Sequence, residues 1–244
     1  MGTYYEKKSR VMKDASLGLA SWTMNSKGVI SNKVYNSWAE DISKYVPVNK
    51  KGNVAKVGFI YFHKVFQTAD GNFFAVGEGY KQEVSALGVG LRVLGSGNVS
   101  MLNVVTTDLL FFRFDPNFKV TDVKIYDKEN NTCELPGGAE FLSPHVMALM
   151  AKAMGAFDYN FTTMDKDHTR FNVGYTDYTK KEEEGKGRYF YSIGYKDGET
   201  TSDKIPLNTK AKWCRVYPAK PGFVTILEYY KKEKRLEYRL EKLN

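Results

Sequence analysis

The chain has 244 residues, 42% of them hydrophobic, and carries a formal net charge of +8 at pH 7. This length can bury the core of one domain or of two small ones without support from disulfides or metals. Aromatic residues reach 14% against 7 prolines, a balance that favours strands and excludes a largely disordered chain. We expect no transmembrane helix, since no run of about 18 apolar residues occurs, and residues 1–14 lack the apolar stretch of a secretory signal.

The positive charge is interleaved with negative charge rather than gathered on one face. In the most basic tract, residues 231–242, lysines and arginines alternate with Glu233, Glu237 and Glu241. A dedicated nucleic-acid surface usually collects one sign of charge on one face. The sequence therefore predicts no specific nucleic-acid partner, and weak binding of nucleic acid or another polyanion ranks third among the functions considered.

Short strand-turn-strand segments recur along the chain and are of two kinds. In the first kind an apolar strand leads through a polar turn to a second strand, at residues 17–35, 109–126 and 189–207. In the second kind the strand after the turn is aromatic or β-branched and ends in an acidic residue and a tyrosine, at residues 59–80, 157–178 and 213–230. Dipeptides such as Asp70-Gly71 and Asp197-Gly198 suit these turns, because glycine accepts positive φ.

Two further segments separate the strand pairs. The glycine-rich stretch 87–100 predicts an inter-strand loop or bulge; it is no phosphate-binding loop, since Ser96 follows Gly95 where that motif has a lysine. Residues 144–154 predict a helix, with Ser143 as N-cap, Pro144 as first residue and Gly155 as the stop. A shorter helix is predicted over residues 38–45. The glycines that invite the phosphate-loop interpretation are Gly88, Gly90, Gly95 and Gly97.

Alternating apolar residues support the strand assignments in the second half of the chain. One face is predicted for Tyr189, Tyr191, Ile193 and Tyr195, and another for Leu236, Tyr238 and Leu240, each set being expected to bury one side of a sheet. In chain order the segments make a partial unit, two complete units of about four strands, and a final unit. The sequence thus predicts an all-β fold of propeller-like repeats, about four antiparallel strands each, in an open arc or partial ring with one or two short helices. Residues 1–244 are predicted to form one such domain.

Two stretches resemble a known group of proteins. Residues 218–244, which run from PAKPGFV to EYYKKEKRLEYRLEKLN, and residues 155–161, GAFDYNF, resemble uncharacterised Bacteroidota β-propeller-like proteins. The resemblance implies a propeller fold, a periplasmic or cell-envelope location and no assigned chemistry. Members tend to be longer and to begin with an export signal, whereas this chain begins inside what looks like a blade. The resemblance therefore implies that the chain is the C-terminal part of a larger propeller.

An incomplete propeller leaves strand edges open, and open edges recruit other chains. The N-terminal blade, residues 17–35, has few charges around Leu17, Leu19, Trp22 and Val29. We therefore expect self-association through the edge of this blade.

Residues with metal-binding or redox chemistry are scattered. The run from Asp165 to His168 has no second histidine or cysteine at ligand spacing and best fits a polar hairpin turn, so no metal and no cofactor are predicted. Cys133 and Cys214 belong to no CxxC motif; a disulfide and two buried free thiols both fit, and free thiols are favoured. The other histidines are His63 and His145.

Residues typical of hydrolases show no recognisable arrangement. No serine lies in a G-x-S-x-G elbow. An acidic run lies in the lysine- and glycine-rich stretch 179–188, which predicts a mobile hairpin loop, a poor place to hold an acid and a base rigidly. That run is Glu182, Glu183 and Glu184.

Acidic-tyrosine pairs recur at the ends of the second kind of segment and are the candidate ligand-binding residues. If the repeats are symmetric, the pairs emerge at matching strand ends and converge on one ligand, with tyrosine stacking and carboxylate accepting hydrogen bonds. A role in building each repeat is the favoured alternative. The pairs are Glu78 with Tyr80, Asp177 with Tyr178, and Glu228 with Tyr229.

The leading functional hypothesis is a non-catalytic binding or scaffolding module of the bacterial envelope, with a protein or glycan ligand. It follows from the resemblance, the many tyrosines and the missing catalytic motifs. The alternative is a hydrolase-type enzyme whose site is completed by upstream blades.

Overall fold

The computed structural model describes residues 1–11, 13–95, 99–179, 187–207 and 210–243. Within these residues it contains fifteen strands in four antiparallel sheets, together with two α-helices, so the expected all-β class is confirmed. The chain divides into two compact units. The N-terminal unit comprises Met1–Phe66 and Gly71–Phe157, and the C-terminal unit comprises Gln67–Asp70 and Asp158–Asn244. Ser96, Gly97 and the run Glu182 to Glu184 lie outside the described residues.

The N-terminal unit is built from two sheets. One has the order β1-β2-β3, and the other has the order β4-β5-β6-β7, with β8 also pairing with β6. The strands are β1 Gly2–Tyr4, β2 Gly18–Met24, β3 Ile30–Ser37, β4 Phe59–Gln67, β5 Phe73–Val84, β6 Val99–Phe114, β7 Val120–Tyr126 and β8 Asn131–Pro136.

The C-terminal unit also has two sheets, β9-β10-β11-β12 and β13-β14-β15, each connected in chain order. Each of the six predicted strand-turn-strand segments forms a pair of neighbouring antiparallel strands. Local turn chemistry explains this agreement, since glycines such as Gly71 and Gly198 adopt positive φ at the turns. The strands are β9 Tyr159–Met164, β10 Arg170–Thr179, β11 Gly187–Lys196, β12 Glu199–Pro206, β13 Trp213–Pro218, β14 Phe223–Tyr230 and β15 Arg235–Lys242.

Each unit buries a core between its two sheets. In the N-terminal unit Leu19 of β2 shares a cluster with Leu110 and Phe112 of β6. The fully buried Asn36 ties the two sheets together, because its amide donates to the Phe118 carbonyl (2.8 Å) and accepts from the Val120 N–H (3.0 Å). In the C-terminal unit the shared cluster contains Phe190, Leu207, Val224 and Ile226.

Two α-helices, α1 Ala86–Val93 and α2 Pro144–Ala153, lie in the N-terminal unit. The predicted helix at residues 144–154 is confirmed as α2. Ser143 Oγ accepts from the Val146 N–H, and Gly155 follows with φ of +73°.

The sequence predicted a loop or bulge at residues 87–100, but the first part of this stretch belongs to helix α1, Ala86–Val93, so the prediction is wrong there. Ser85 caps this helix by accepting from the Gly88 N–H (3.0 Å). A Cβ on Gly88 would overlap the Ser100 carbonyl oxygen of β6. The residue that lowers helix propensity is therefore the one that lets the helix pack on the sheet.

The helix predicted over residues 38–45 is reduced to a 3-10 helix at Ile42–Lys44. Side chains explain the difference. The Asp41 carboxylate accepts from the Ser37 N–H (2.8 Å), and the Ser37 hydroxyl accepts from the Glu40 N–H (3.0 Å). Such local bonds offer the backbone a turn instead of a helix.

The terminal sheets differ from expectation in two ways. β1 pairs with Gly18–Ala20 of β2, so a strand precedes the segment 17–35 with which the partial first unit was expected to begin. In the last sheet Leu236, Tyr238 and Leu240 are 56%, 79% and 51% exposed, so the face that we expected to be buried is open. This sheet buries its opposite face instead, through Cys214, Val224 and Ile226. The tyrosine face of β11 is covered as predicted at Tyr189, Ile193 and Tyr195.

A candidate ligand-binding cavity

The N-terminal unit contains a cavity of about 610 Å³. This volume lies within the range of sites that hold a small molecule. The cavity is lined by Thr3, Tyr5, Val11, Lys13, Asp14, Ala15, Ser16, Trp38, Lys51, Gly52, Phe59, Ile60, Tyr61, Phe62, Tyr80, Ser143, Pro144 and His145.

Aromatic rings line one part of the cavity, and we call the four rings of Trp38, Phe59, Tyr61 and Tyr80 its floor. Phe59 and Tyr61 extend from β4, which lies at the edge of its sheet, and Tyr80 comes from the neighbouring strand β5. These rings are held in place by packing. Tyr61 stacks on Phe157 with ring centroids 4.9 Å apart, and the ring centroids of Phe59 and Tyr80 are 6.0 Å apart. A floor of packed rings is pre-formed, so a ligand would not have to order it.

A turn at residues 49–53 forms one wall and positions Lys51. The Asn49 side chain accepts from the N–H groups of Lys51 (2.9 Å) and Asn53 (3.1 Å). Gly52 has φ of +78°, and a Cβ on it would lie 2.7 Å from the Trp38 indole nitrogen. Glycine therefore allows the turn to lie directly on Trp38, whose Nε1 donates to Ser16 Oγ (3.0 Å).

Exposed polar side chains form the rim. Lys13, Lys51 and His145 line the cavity and are exposed, and we call these three side chains its rim. The single acidic lining residue, Asp14, is already engaged, since its Oδ2 accepts from the Arg10 N–H (2.7 Å). His145 lies in the first turn of α2, at the positive end of the helix dipole.

A buried charged cluster lies beside the cavity on the same two strands. Glu78 Oε2 lies 3.3 Å from His63 Nε2, and Glu78 Oε1 lies 3.2 Å from Lys128 Nζ. Lys152 Nζ lies 3.3 Å from His63 Nδ1. The side chains of His63, Glu78 and Lys128 are 1%, 0% and 0% exposed. These three side chains are therefore sealed from solvent, and Lys152 beside them is half-buried.

The contacts of His63 favour a neutral imidazole. Burial lowers its pKa, and the neighbouring Glu78 carboxylate opposes this effect only in part. A neutral ring with its proton on Nε2 directs that proton toward the Glu78 carboxylate, 3.3 Å away, and can accept at Nδ1 from Lys152 Nζ.

A β-bulge positions the cluster. The register of β5 against β6 shifts between Glu78 and Tyr80. In the bulged part of β6 Thr107 Oγ1 donates to the Val57 carbonyl (2.6 Å), and Asp108 Oδ1 accepts from the Lys128 N–H (3.2 Å). Burial raises the pKa of Asp108. The bulge thus fixes the backbone of Lys128 near Glu78.

Comparison with known proteins gives a family. A model described as a family of unknown function, DUF6770, matches residues 1–244. The chain belongs to this family. No curated protein matches the chain. The expected membership of an uncharacterised family is confirmed, and the chemistry of this DUF6770 protein has to be argued from its residues.

The six candidate site residues of this DUF6770 chain occupy unlike environments. Glu78 is sealed in the charged cluster, whereas Tyr80 lines the cavity. The other four belong to the C-terminal unit. Their role in ligand binding stays a prediction.

Those four residues have local contacts in the C-terminal unit. Asp177 accepts from the N–H of Tyr178, whose side chain is on the surface. Glu228 accepts from the Tyr230 hydroxyl (3.2 Å), and Tyr229 stacks on Trp213 (5.6 Å). The pairs of this DUF6770 protein therefore differ in burial and in partners although their sequences look alike.

The sequence did not indicate the charged cluster or the rim. Lys128 and Lys152 lie 65 and 89 positions from His63 in the chain, taken as residue-number differences, so no spacing pattern joins them. One signal was present: His63 falls in phase with Tyr61 and Val65 in an aromatic strand, a position that predicts burial.

The remaining expectations for this DUF6770 chain concern the turn and the thiols. Asp165 forms a polar hairpin turn, as predicted, by accepting from the N–H groups of Thr169 (2.8 Å) and Arg170 (3.2 Å). Cys133 and Cys214 are buried free thiols, and burial raises the pKa of each.

Two features are absent from the described ranges. None of their helices is long and apolar enough to cross a membrane. The same residues hold no group of three or more histidine, cysteine, aspartate or glutamate side chains arranged to bind a metal ion.

Proposed function

We propose that this protein is a non-catalytic binding module whose ligand occupies the cavity of the N-terminal unit. The observation that carries the proposal is the separation of two groups of residues. Aromatic rings and polar rim residues surround an open cavity, whereas the buried cluster of acid and base side chains is sealed.

A hydrolase-type activity is the weaker candidate. General acid-base catalysis needs a side chain within hydrogen-bond reach of the substrate. His63 and Glu78 have the right chemistry but are 1% and 0% exposed at the side chain. At the cavity, Ser143 Oγ caps α2 and Asp14 accepts from Arg10, so both are engaged in holding the backbone.

The resemblance to Bacteroidota propeller-like proteins extends the proposal. On this basis the four sheets are successive blades of an open arc, and the protein works in the periplasm or cell envelope. The meander order of β4 to β7 and of β9 to β12 supports the blade interpretation, because propeller blades are four-stranded antiparallel sheets.

Self-association through the exposed edge of the N-terminal blade, which is the sheet β1-β2-β3, is part of the same proposal. Trp22 and Tyr35 of this sheet are exposed, and Tyr35 packs edge-on against Tyr4 (5.0 Å). Exposed aromatic surface of this kind favours contact with another chain. Sedimentation over a wide concentration range tests it: Trp22→Asp should abolish a concentration-dependent dimer, and a wild-type chain that stays monomeric throughout contradicts it.

The cavity is tested by filling it. Ala15 is an exposed lining residue, so Ala15→Trp adds a large ring there without removing core packing. Ala55→Trp is the matched control, since Ala55 is exposed and does not line the cavity. A panel of small metabolites and glycan fragments is screened by thermal shift against the wild type and both variants.

We expect the stabilising compounds to lose their effect on Ala15→Trp and to keep it on Ala55→Trp. Compounds that stabilise all three proteins equally would place the binding site elsewhere. Chemical conversion of a stabilising compound, followed by mass spectrometry, would favour the enzyme.

A further inference from the structure

The chemistry of the cavity indicates what kind of ligand it takes. We propose that the ligand is an anionic amphiphile, a molecule with an apolar body and one acidic group; this inference rests on the proposed function. The body occupies the aromatic floor, and the acidic group binds at the rim.

The charges at the rim carry the first step. Lys13 and Lys51 supply two ammonium groups and His145 supplies an imidazole; all three side chains line the cavity and are exposed. The one carboxylate among the lining residues, that of Asp14, lies 3.6 Å from the Arg10 guanidinium, which offsets its charge. The opening is therefore positive on balance and attracts an anion.

The start of α2 adds to this charge. Ser143, Pro144 and His145, the cap and first turn of the helix, line the cavity. The helix dipole places partial positive charge there, which favours an anionic group nearby. Helix and lysines thus favour the same sign of charge in the ligand.

The floor requires a different chemistry from the rim. Trp38 and Tyr80 are almost completely buried, and burial raises the pKa of the Tyr80 hydroxyl so that it stays neutral. Placing an ion among Phe59, Tyr61 and these rings would cost its hydration without supplying an opposite charge. The acidic group therefore stays at the rim, and the part of the ligand that lies on the floor is apolar.

A neutral glycan fits the floor, since sugar rings stack on aromatic side chains, but it makes no use of the positive rim. Charge on the ligand is thus the property that separates the two classes. A series of probes that share one apolar chain and differ in the head group isolates it.

The experiment is isothermal titration with decanoate, decanol and decylamine below their micelle concentrations. We expect decanoate to bind at least about tenfold more tightly than decanol, since hydrogen bonds to charged groups are stronger than neutral ones. Decylamine should bind more weakly than decanol, because its ammonium group meets the lysines.

Matched variants locate the acidic group. Lys51→Gln and His145→Gln should each weaken decanoate toward the affinity of decanol and leave decanol unchanged. Lys50→Gln is the control, because Lys50 is the exposed neighbour of Lys51 and does not line the cavity. It should bind all three probes as the wild type does.

Each outcome bears on one of the two claims. Equal binding of decanoate and decanol, or no effect of Lys51→Gln, overturns the anionic class and leaves the cavity as a binding site. Failure of all three probes, with other compounds still blocked by Ala15→Trp, also overturns the class alone. The proposed function fails as well when no compound is sensitive to Ala15→Trp.

Discussion

The buried charged cluster and the cavity are built on the same two strands, two residues apart. His63 on β4 and Glu78 on β5 lie in the cluster, whereas Tyr61 on β4 and Tyr80 on β5 line the cavity. The cluster holds the more reactive side chains and is closed, and the cavity holds mostly aromatic ones and is open. Access, rather than residue type, decides which of the two can meet a ligand.

The largest expected effect concerns the closed region. Glu78→Gln removes the charge of the carboxylate that lies 3.2 Å from the buried Lys128 ammonium, so the free energy of unfolding should fall by about 3–5 kcal/mol. The matched control is Glu83→Gln on the same strand, since Glu83 pairs with Lys81 at the surface and should change the free energy by less than about 1 kcal/mol. Urea denaturation measures both. Equal losses would show that the cluster does not stabilise the unit.

The second effect concerns the wall between Lys51 and Trp38. Gly52→Ala should lower the free energy of unfolding by about 1–3 kcal/mol more than Gly28→Ala, because the added Cβ at position 52 meets the Trp38 ring. The pair is well matched, since Gly52 and Gly28 have φ of +78° and +77°, while the space around Gly28 is open. Similar losses in both variants would mean that the turn does not pack on Trp38.

A smaller effect is the pH dependence of stability that His63 provides. Burial lowers the pKa of folded His63 below its ordinary value of 6.5, so the unfolded chain binds a proton first as the pH falls below 6.5. The free energy of unfolding should therefore decrease on acidification through this range and show no contribution from His63 at higher pH. His63→Gln should flatten the decrease between pH 6.5 and 5 in urea titrations. Parallel curves for the two proteins would contradict a neutral His63.

The smallest effect on stability is expected at the open region. Lys51→Gln and His145→Gln alter exposed side chains and should change the free energy of unfolding by less than about 0.5 kcal/mol, although both are expected to weaken decanoate binding. A large loss of stability would make these residues part of the fold rather than of a binding surface.

Local chemistry explains what could be predicted from the sequence. The hairpins follow from turn residues such as Gly71 and Gly198, and α2 follows from Ser143 and Pro144. The helix α1 could not be predicted, because the contact of Gly88 with Ser100 joins two elements. Propensity alone argued against a helix there.

The site was harder to predict than the fold. Alternation showed that Leu236, Tyr238 and Leu240 share a face, but not that this face is open. Likewise, the repeated acidic-tyrosine pairs placed Glu78 and Glu228 in equivalent positions of the sequence, while one joins Lys128 and His63 and the other accepts from Tyr230. Which side chains meet across the fold decided their environments.

Amide hydrogen exchange with and without saturating decanoate tests the central claim most directly, because it locates the bound ligand. We expect slower exchange at residues 59–62 of β4 and in the first turn of α2, with no change at Asp177, Tyr178, Glu228 and Tyr229. Slower exchange confined to those four residues, with none at residues 59–62, would contradict the assignment of the cavity as the binding site.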